Sequence, residues 1–126
     1  MTTALVLFAH GARDPEWANS VRRIQEAIRQ RAPGVKVELA FLEFIAPRLP
    51  ECVAGLAAGG AAKIVVMPMF IAPGGHLKRE VPEMLDLLRS THPGVQFVLG
   101  EAIGQNEIVV QAMAEATLQV AGSEFA

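Results

Sequence analysis

The stretch KIVVMPMFIAPGGHLKRE, which runs from Lys63 to Glu80, contains the pattern that decides the fold. Its first part, Lys63 to Met69, is almost continuously apolar and rich in Ile and Val, as in a strand that is covered on both faces. Two glycines and a histidine follow, and the apolar spacing then predicts a helix from about Leu77 to Ser90. A buried strand that leads into an amphipathic helix is the repeating unit of a parallel α/β sheet.

The same strand-then-helix unit recurs along the whole chain. Further strands are predicted at Ala4–Ala9, Val35–Phe41 and Val95–Leu99, and further helices begin near Pro15, Pro47 and Glu107. The order βαβαβαβα predicts a single domain over residues 1–126, an α/β three-layer sandwich with a parallel sheet between helices. We expect the strand order 2-1-3-4, because it puts the most apolar strands, the first and third, in the middle.

Apolar residues at helical spacing predict which helix faces are buried. In the first helix, Asp14 is a suitable N-cap before Pro15. Cys52 lies on the apolar side of the second helix and is predicted to be a small core residue. The predicted buried stripes of the first and last helices are Trp17, Val21, Ile24 and Ile28, and Val109, Met113, Thr117 and Val120.

Composition excludes several classes of function. The formal net charge of −2 gives no basic footprint for a nucleic acid, although a small anion can still bind at a local basic cluster. No apolar run approaches the roughly 20 residues that span a bilayer, and the apolar N-terminal run lacks the basic lead of a signal peptide. A single cysteine excludes an intrachain disulfide. We therefore expect a cytoplasmic protein without nucleic-acid or membrane partners.

Two histidines follow neighbouring strands of the predicted sheet. His10 comes directly after the first strand, and His76 follows the third strand and a pair of glycines, Gly74 and Gly75. Either histidine alone is more simply explained as a capping or surface residue. In an open parallel sheet, however, ligands bind beyond the carboxyl ends of the strands where the strand order reverses. The pair therefore predicts a site for a divalent transition metal, and the glycines predict a sharp turn with room for a flat ligand.

Carboxylates and basic residues are predicted around the same edge. Glu43 follows the second strand among apolar neighbours and is a candidate third ligand or general base, and Glu80 lies one helical turn after His76. Helix N-termini at this edge add partial positive charge. Together with these helix N-termini, four basic residues predict a binding site for a carboxylate- or phosphate-bearing ligand. Basic side chains that are simply exposed to solvent explain the pattern equally well. The four residues are Arg13, Arg48, Lys78 and Arg79.

Three segments in this order resemble the short, CbiX-type sirohydrochlorin cobaltochelatases: LVLFAHGARDPEW, then ELAFLEF followed by Pro47 and Leu49, then KIVVMPMFIAPGGHLKREVPEML. The resemblance continues through Gly100–Gly104 and covers nearly the whole chain. It implies a class II chelatase half-unit that inserts a divalent metal into sirohydrochlorin without ATP. The expected metal is Co²⁺, and the alternatives are Ni²⁺ and Fe²⁺. It further implies no permanently bound cofactor, and a homodimer with the cleft between subunits.

The resemblance also implies roles for individual residues. His10 and His76 would handle the metal, and one imidazole or Glu43 would accept a pyrrole proton. From their positions, we expect the four basic residues to meet the substrate carboxylates and a second group to lie against the macrocycle: Met69, Phe70, Ile71 and Gly75.

Two other functions remain open at this point. A non-enzymatic carrier of metal or tetrapyrrole would need the same histidines. A phosphoryl-transfer enzyme of the histidine phosphatase type also has a strand followed by His-Gly, but there an arginine precedes the histidine, whereas here the residue is Ala9. A serine hydrolase is excluded because the chain has no Gly-x-Ser-x-Gly segment.

Overall fold

The computed structural model describes residues 2–72 and 74–125, apart from the side chains at positions 76, 123 and 125. Four parallel strands form one sheet in the order β2-β1-β3-β4. The strands are β1 (Thr2–Ala9), β2 (Lys36–Phe41), β3 (Ala61–Pro68) and β4 (Gln96–Leu99). The predicted α/β class and strand order are therefore confirmed.

Helices follow each strand. They are α1 (Asn19–Arg31), α2 (Leu49–Ala58), α3 (Gly75–Thr91) and α4 (Glu107–Phe125), with 3-10 turns at Pro15–Ala18 and Ile103–Gln105. The Asp14 carboxylate accepts a hydrogen bond from the Glu16 amide at 2.9 Å, as expected of a cap, but it caps the first 3-10 turn rather than α1. The second helix begins at Leu49, two residues after the predicted start at Pro47.

The larger core lies between the sheet and the helix pair α2 and α3. Phe8, Ile64 and Leu85 are fully buried there. Cys52 is buried in the same cluster, as predicted for a small core residue. Burial, and secondarily the charge of Glu38, raise the pKa of the Cys52 thiol to about 11, so the thiol is protonated at neutral pH.

The opposite face of the sheet is covered only in part. Helix α1 packs over β1 and β2, where Val21 is buried and Ile28 half-buried. The prediction that Trp17 and Ile24 complete this buried stripe is wrong, because they remain 39% and 40% exposed.

The predicted buried stripe of α4 is also wrong for the single chain. Every residue from position 110 to position 120 is exposed, and Val120 is 80% exposed. The reason is the direction of the helix: after the second 3-10 turn, against which it mainly packs, α4 runs away from the sheet. Although α4 is rich in apolar residues, neither it nor any other helix within residues 2–72 and 74–125 is long and apolar enough to cross a membrane.

Candidate metal and tetrapyrrole site

The site lies at the carboxyl edge of the sheet, where β1 and β2 end side by side. Parallel pairing puts Ala9 next to Phe41, so the residues that follow each strand emerge together. There the His10 Nε2 atom lies 3.3 Å from the Glu43 Oε1 atom. About half of each side chain is accessible, 49% for His10 and 46% for Glu43, so a small ion can reach both.

The loop after β2 is held against the loop after β1. The Leu42 amide donates to the Ala9 carbonyl at 2.9 Å, and the Glu43 amide donates to the His10 carbonyl at 3.1 Å. Gly11 permits this approach, since a Cβ atom there would overlap the Glu43 carbonyl oxygen. Phe44 adopts φ of +69°, a left-handed conformation that costs a non-glycine residue roughly 1–2 kcal/mol. Backbone strain of this kind concentrates at functional sites.

Aromatic rings pack edge-on against the His10 imidazole. The buried Phe70 ring meets the His10 ring edge-on, with centroids 6.3 Å apart, and meets Phe8 at 6.0 Å. Met69 is half-buried on the α1 side of the sheet, whereas Ile71 is 70% exposed. Phe70 thus positions the imidazole, and in this conformation it presents little surface to a ligand. Contact of Met69 and Phe70 with a macrocycle stays a prediction.

An open cleft of about 680 Å³ adjoins the histidine–glutamate pair. Its floor and walls come from the three loops that follow β1, β2 and β3, so it lies at the predicted switch point of the sheet. Predicted site residues among those lining it are His10, Glu43, Arg48 and Glu80. Gly74, beside which the sequence predicted room for a flat ligand, also lines it, together with three residues that were not assigned to the site, namely Leu42, Ala72 and Leu77.

His76 belongs to the first turn of α3, at the end of the loop that forms one wall of this cleft. Its side chain lies outside the described residues, so its predicted role as a metal ligand stays a prediction. Among the side chains that are described, no group of three His, Cys, Asp or Glu lies close enough to hold a metal ion. A site with more than two protein ligands therefore needs His76 or a second molecule.

The glycines before His76 do not have the conformational role we expected. Gly74 has an extended backbone with φ of −65° and ψ of 162°, and Gly75 begins α3. A Cβ atom at either position would meet no atom within 4 Å. The prediction that glycine is needed for a sharp turn is therefore wrong, whereas the open space beside Gly74 and Gly75 is compatible with the approach of a flat ligand.

The four basic residues differ in how they relate to the cleft. Arg48, the N-cap residue of α2, lines the cleft itself. The Arg13 guanidinium lies over the exposed Phe44 ring, 5.2 Å from its centroid. Lys78 lines a neighbouring cavity of about 310 Å³ that shares Ala72 with the cleft. Arg48 therefore borders the cleft directly, and Lys78 borders the cavity that adjoins it.

Arg79 is exposed near the start of α3, but it is not among the residues that line either cavity. Its predicted contact with a substrate carboxylate stays a prediction.

The loop between β3 and α3 is held by hydrogen bonds from Gly104 and Gln105, which we call the strap. The Gly104 amide donates to the Phe70 carbonyl at 3.0 Å, and the Gln105 side-chain amide donates to the Ile71 carbonyl at 3.1 Å. A Cβ atom at position 104 would overlap the Ile71 backbone. Sequence reasoning missed the contacts of Gly104 and Gln105; only the second glycine in GEAIGQ offered a signal for them, and it did not reveal the contact.

Comparison with known proteins places this architecture in a defined group. The CbiX family model matches residues 4–120. Among curated relatives, the sirohydrochlorin cobaltochelatase of Sulfolobus acidocaldarius is 32% identical over 124 residues, covering 96% of this chain and 97% of the relative. That of Methanococcus maripaludis is 36% identical over 91 residues, covering 72% of this chain but only 63% of the relative.

Solved structures agree in fold over most of the chain. The CbiX protein of Marinobacter aquaeolei VT8 superposes with a TM-score of 0.83 at 27% identity, covering 96% of this chain and 98% of that one. The sirohydrochlorin chelatase SirB of Bacillus subtilis subspecies spizizenii, solved in complex with cobalt, superposes with a TM-score of 0.80 at 25% identity. The match covers 96% of this chain but only 52% of SirB. With the family model matching nearly its whole length, this chain belongs to the CbiX family.

Proposed function

We propose that this protein is an enzyme, a class II chelatase that inserts Co²⁺ into sirohydrochlorin without ATP in tetrapyrrole (cobalamin) biosynthesis. The observation that carries the proposal is the accessible imidazole–carboxylate pair, His10 and Glu43, beside an open cleft. The names of relatives support the substrate, since the protein of Sulfolobus acidocaldarius, matched over 97% of its length, is a sirohydrochlorin cobaltochelatase. Ni²⁺ and Fe²⁺ are the alternative metals.

The geometry of the pair suits two ligands of one metal ion. Two ligand atoms about 2.1 Å from a tetrahedral metal lie roughly 3.4 Å apart, and the His10 Nε2 and Glu43 Oε1 atoms are 3.3 Å apart. In our proposal, neutral imidazoles at His10 and His76 and the Glu43 carboxylate hold the incoming ion. The metal passes through the site as a substrate and does not stay as a cofactor.

Insertion also requires that two pyrrole N–H groups lose their protons. We propose that Glu43, or one of the imidazoles, accepts one of these protons as the metal leaves for the macrocycle, and that the other passes to solvent water, which reaches the half-exposed pair. A positioned general base typically contributes about 10²–10⁴-fold to a rate. Contact with Phe70 holds the imidazole ring of His10 in place. The backbone hydrogen bonds between the loops after β1 and β2 hold Glu43 beside it.

The substrate would lie across the cleft with its carboxylates at the basic rim. Arg48 borders the cleft and Lys78 borders the adjoining cavity, while Arg13 and Arg79 are assigned from their positions at the same edge. The exposed backbone at Gly75 leaves room for the plane of the macrocycle. We further propose that two copies form a homodimer whose cleft lies between subunits, and that the protein is cytoplasmic.

The decisive experiment follows sirohydrochlorin by ultraviolet–visible absorbance with Co²⁺, with and without the protein. We expect conversion to the metallated spectrum faster than the spontaneous reaction, and at least a roughly 100-fold lower rate for His10→Ala and His76→Ala. His92→Ala, at the far end of α3, is the matched control and should keep the wild-type rate. A rate of cobalt insertion equal to that of the spontaneous reaction would refute the proposed enzymatic activity.

Two further measurements separate the alternatives. Tight binding of Co²⁺ or of the tetrapyrrole without accelerated insertion would favour a carrier. Phosphate release from a panel of phosphomonoesters, lost in His10→Ala, would favour an enzyme of the histidine phosphatase type.

A further inference from the structure

One exposed aromatic residue lies directly beside the histidine–glutamate pair. Phe44 follows Glu43 in the loop after β2, and 58% of its surface is exposed. Among the aromatic side chains that the structure describes, it is the most exposed, since the four other phenylalanines are buried and Trp17 is 39% exposed. A single exposed apolar side chain is ordinary on a protein surface. The contacts of Phe44, and not its exposure alone, therefore indicate what it does.

The backbone holds Phe44 in a rare turn. The Ile45 amide donates to the Glu43 carbonyl at 2.9 Å, across a central residue whose φ is +69°. A three-residue turn with a positive φ at its centre is the strained form of the γ-turn. Gly11 lies directly against the same Glu43 carbonyl. The contacts that hold Glu43 beside His10 therefore also fix the position of the Phe44 ring.

The Phe44 ring is in contact with a cation. The guanidinium carbon of Arg13 lies 5.2 Å from the ring centroid, within the range of a cation–π contact. Arg13 is three residues after His10 in the loop after β1, just as Phe44 is one residue after Glu43 in the loop after β2. The Arg13–Phe44 stack thus joins the same two loops as the histidine–glutamate pair.

Arg13 has no carboxylate partner within the described part of the chain. The carboxylate of its neighbour Asp14 caps the first 3-10 turn by accepting from the Glu16 amide, and that of Glu43 faces His10. The ion pairs between described side chains do not include Arg13. A guanidinium has five N–H donors, so Arg13 keeps these donors available for a ligand.

Stacking on a ring orders a guanidinium without using its hydrogen-bond donors. The ring meets the guanidinium group, while the planar fork of N–H groups can still bind a carboxylate through two parallel hydrogen bonds. A side chain that is ordered before binding loses less conformational entropy when the ligand arrives. Of the four basic residues assigned to the substrate, only Arg13 has such a ring contact among the described side chains.

We propose that Phe44 is a positioning residue, which holds Arg13 ready to bind a peripheral carboxylate of the tetrapyrrole. The inference rests on the proposed function and deepens it, because it adds Phe44 to the site and makes the Arg13–Phe44 stack a determinant of substrate specificity. Arg13 touches the substrate, and Phe44 acts through Arg13. Since one pair of loops carries both the stack and the metal ligands, it fixes where the edge of the macrocycle lies relative to the metal.

The first test measures KM and kcat for cobalt insertion into sirohydrochlorin. Phe44→Leu removes the ring but keeps an apolar side chain, so KM should rise about five-fold while kcat stays within about two-fold of the wild type. Phe44→Tyr keeps the ring and should keep the wild-type KM. Leu87→Ala, at a side chain of α3 that is 69% exposed, is the matched control. An unchanged KM in Phe44→Leu, or an equal rise in Phe44→Tyr, would overturn the proposal.

A second variant separates the positioning of Arg13 from the positioning of Glu43. Phe44→Gly also removes the ring, but glycine adopts a positive φ without the steric cost that other residues have. We expect KM to rise as in Phe44→Leu, with the affinity for Co²⁺ alone, measured by calorimetry, unchanged. Weaker Co²⁺ binding, or a fall in kcat at unchanged KM, would show that Phe44 positions Glu43 and would overturn the proposal.

A double-mutant cycle tests whether the two residues act as a unit. Arg13→Gln removes the charge and the fork, so KM should rise roughly ten-fold or more. In that background Phe44→Leu should change KM by less than about two-fold, because the ring then has no guanidinium to hold. Effects of the two substitutions that multiply independently would refute the role of Phe44 as the residue that positions Arg13.

Titration of sirohydrochlorin without metal, followed by its absorbance, keeps this proposal separable from the proposed activity. Binding that weakens in Phe44→Leu and Arg13→Gln but not in Phe44→Tyr supports the stack even if the wild type does not insert cobalt, in which case the activity alone is refuted. An active wild type whose Phe44 variants all keep the wild-type KM refutes the stack and leaves the activity intact.

Discussion

Replacing Gly11 with alanine should damage both the stability of the protein and its candidate site. Gly11 has φ of +95°, and a Cβ atom there would overlap the Glu43 carbonyl oxygen and lie 3.0 Å from the carbonyl carbon. The overlapped atoms are backbone, so no side-chain rotation relieves the clash. The loop that carries Glu43 must therefore move away from His10.

The cost follows from the bonds at this position. A left-handed conformation costs alanine roughly 1–2 kcal/mol. Retreat of the loop weakens the bonds from Leu42 to Ala9 and from Glu43 to His10, each worth about 1 kcal/mol net. The free energy of unfolding should therefore fall by about 3–4 kcal/mol, which corresponds to a drop in Tm of roughly 10–20 °C for a domain of this size.

Denaturant unfolding followed by circular dichroism measures the loss of stability, and Co²⁺ titration below the melting temperature measures the effect on the site. Gly55→Ala is the matched control, since Gly55 lies inside α2 and a Cβ atom there would meet no atom within 4 Å. That variant should be stabilised by about 0.5–1 kcal/mol. If Gly11→Ala unfolds within about 1 kcal/mol of the wild type, the close approach of the two loops does not constrain the site.

Three further outcomes are expected. Leu85→Ala should lower the free energy of unfolding, measured by denaturant titration, by about 2–5 kcal/mol, because Leu85 is fully buried. Leu87→Ala changes a side chain that is 69% exposed, and in the same titration it should cost less than about 1 kcal/mol. The pKa of Cys52 is raised from 9.0 to about 11 by burial and by Glu38, so its contribution to stability is full below pH 9 and is lost between pH 9 and 11. Thiol labelling of the folded protein at about pH 8 should accordingly be slow, and fast labelling there would contradict the burial. Gln105→Ala releases the loop beside the cleft and should lower kcat/KM for metal insertion about five-fold, equivalent to about 1 kcal/mol; an unchanged value would show that the strap does not position the loop.

The meeting of His10 with Glu43 was predictable because parallel strands emerge at one edge of the sheet. Continuous apolar strands and the turn residues between them specify that architecture locally, so residues that follow adjacent strands must lie near one another. The constraint on Gly11 was not predictable, although a glycine follows the histidine directly. Its need for glycine arises from the Glu43 carbonyl, 32 residues away in sequence. Glycines 74 and 75 show the converse, since their backbone conformation requires no glycine.

The sequence by itself determined the α/β class, the strand order, and the edge of the sheet at which the candidate site lies, because hydrophobic periodicity and turn chemistry act over short stretches of chain. Only the tertiary structure decided what each apolar stripe contacts. Both α1 and α4 carry apolar residues at helical spacing, yet Val21 is buried whereas Val120 is exposed. The difference comes from the strapped turn before α4, which directs that helix away from its own sheet. Periodicity shows that a face must be buried, but the direction of the connection determines which surface buries it.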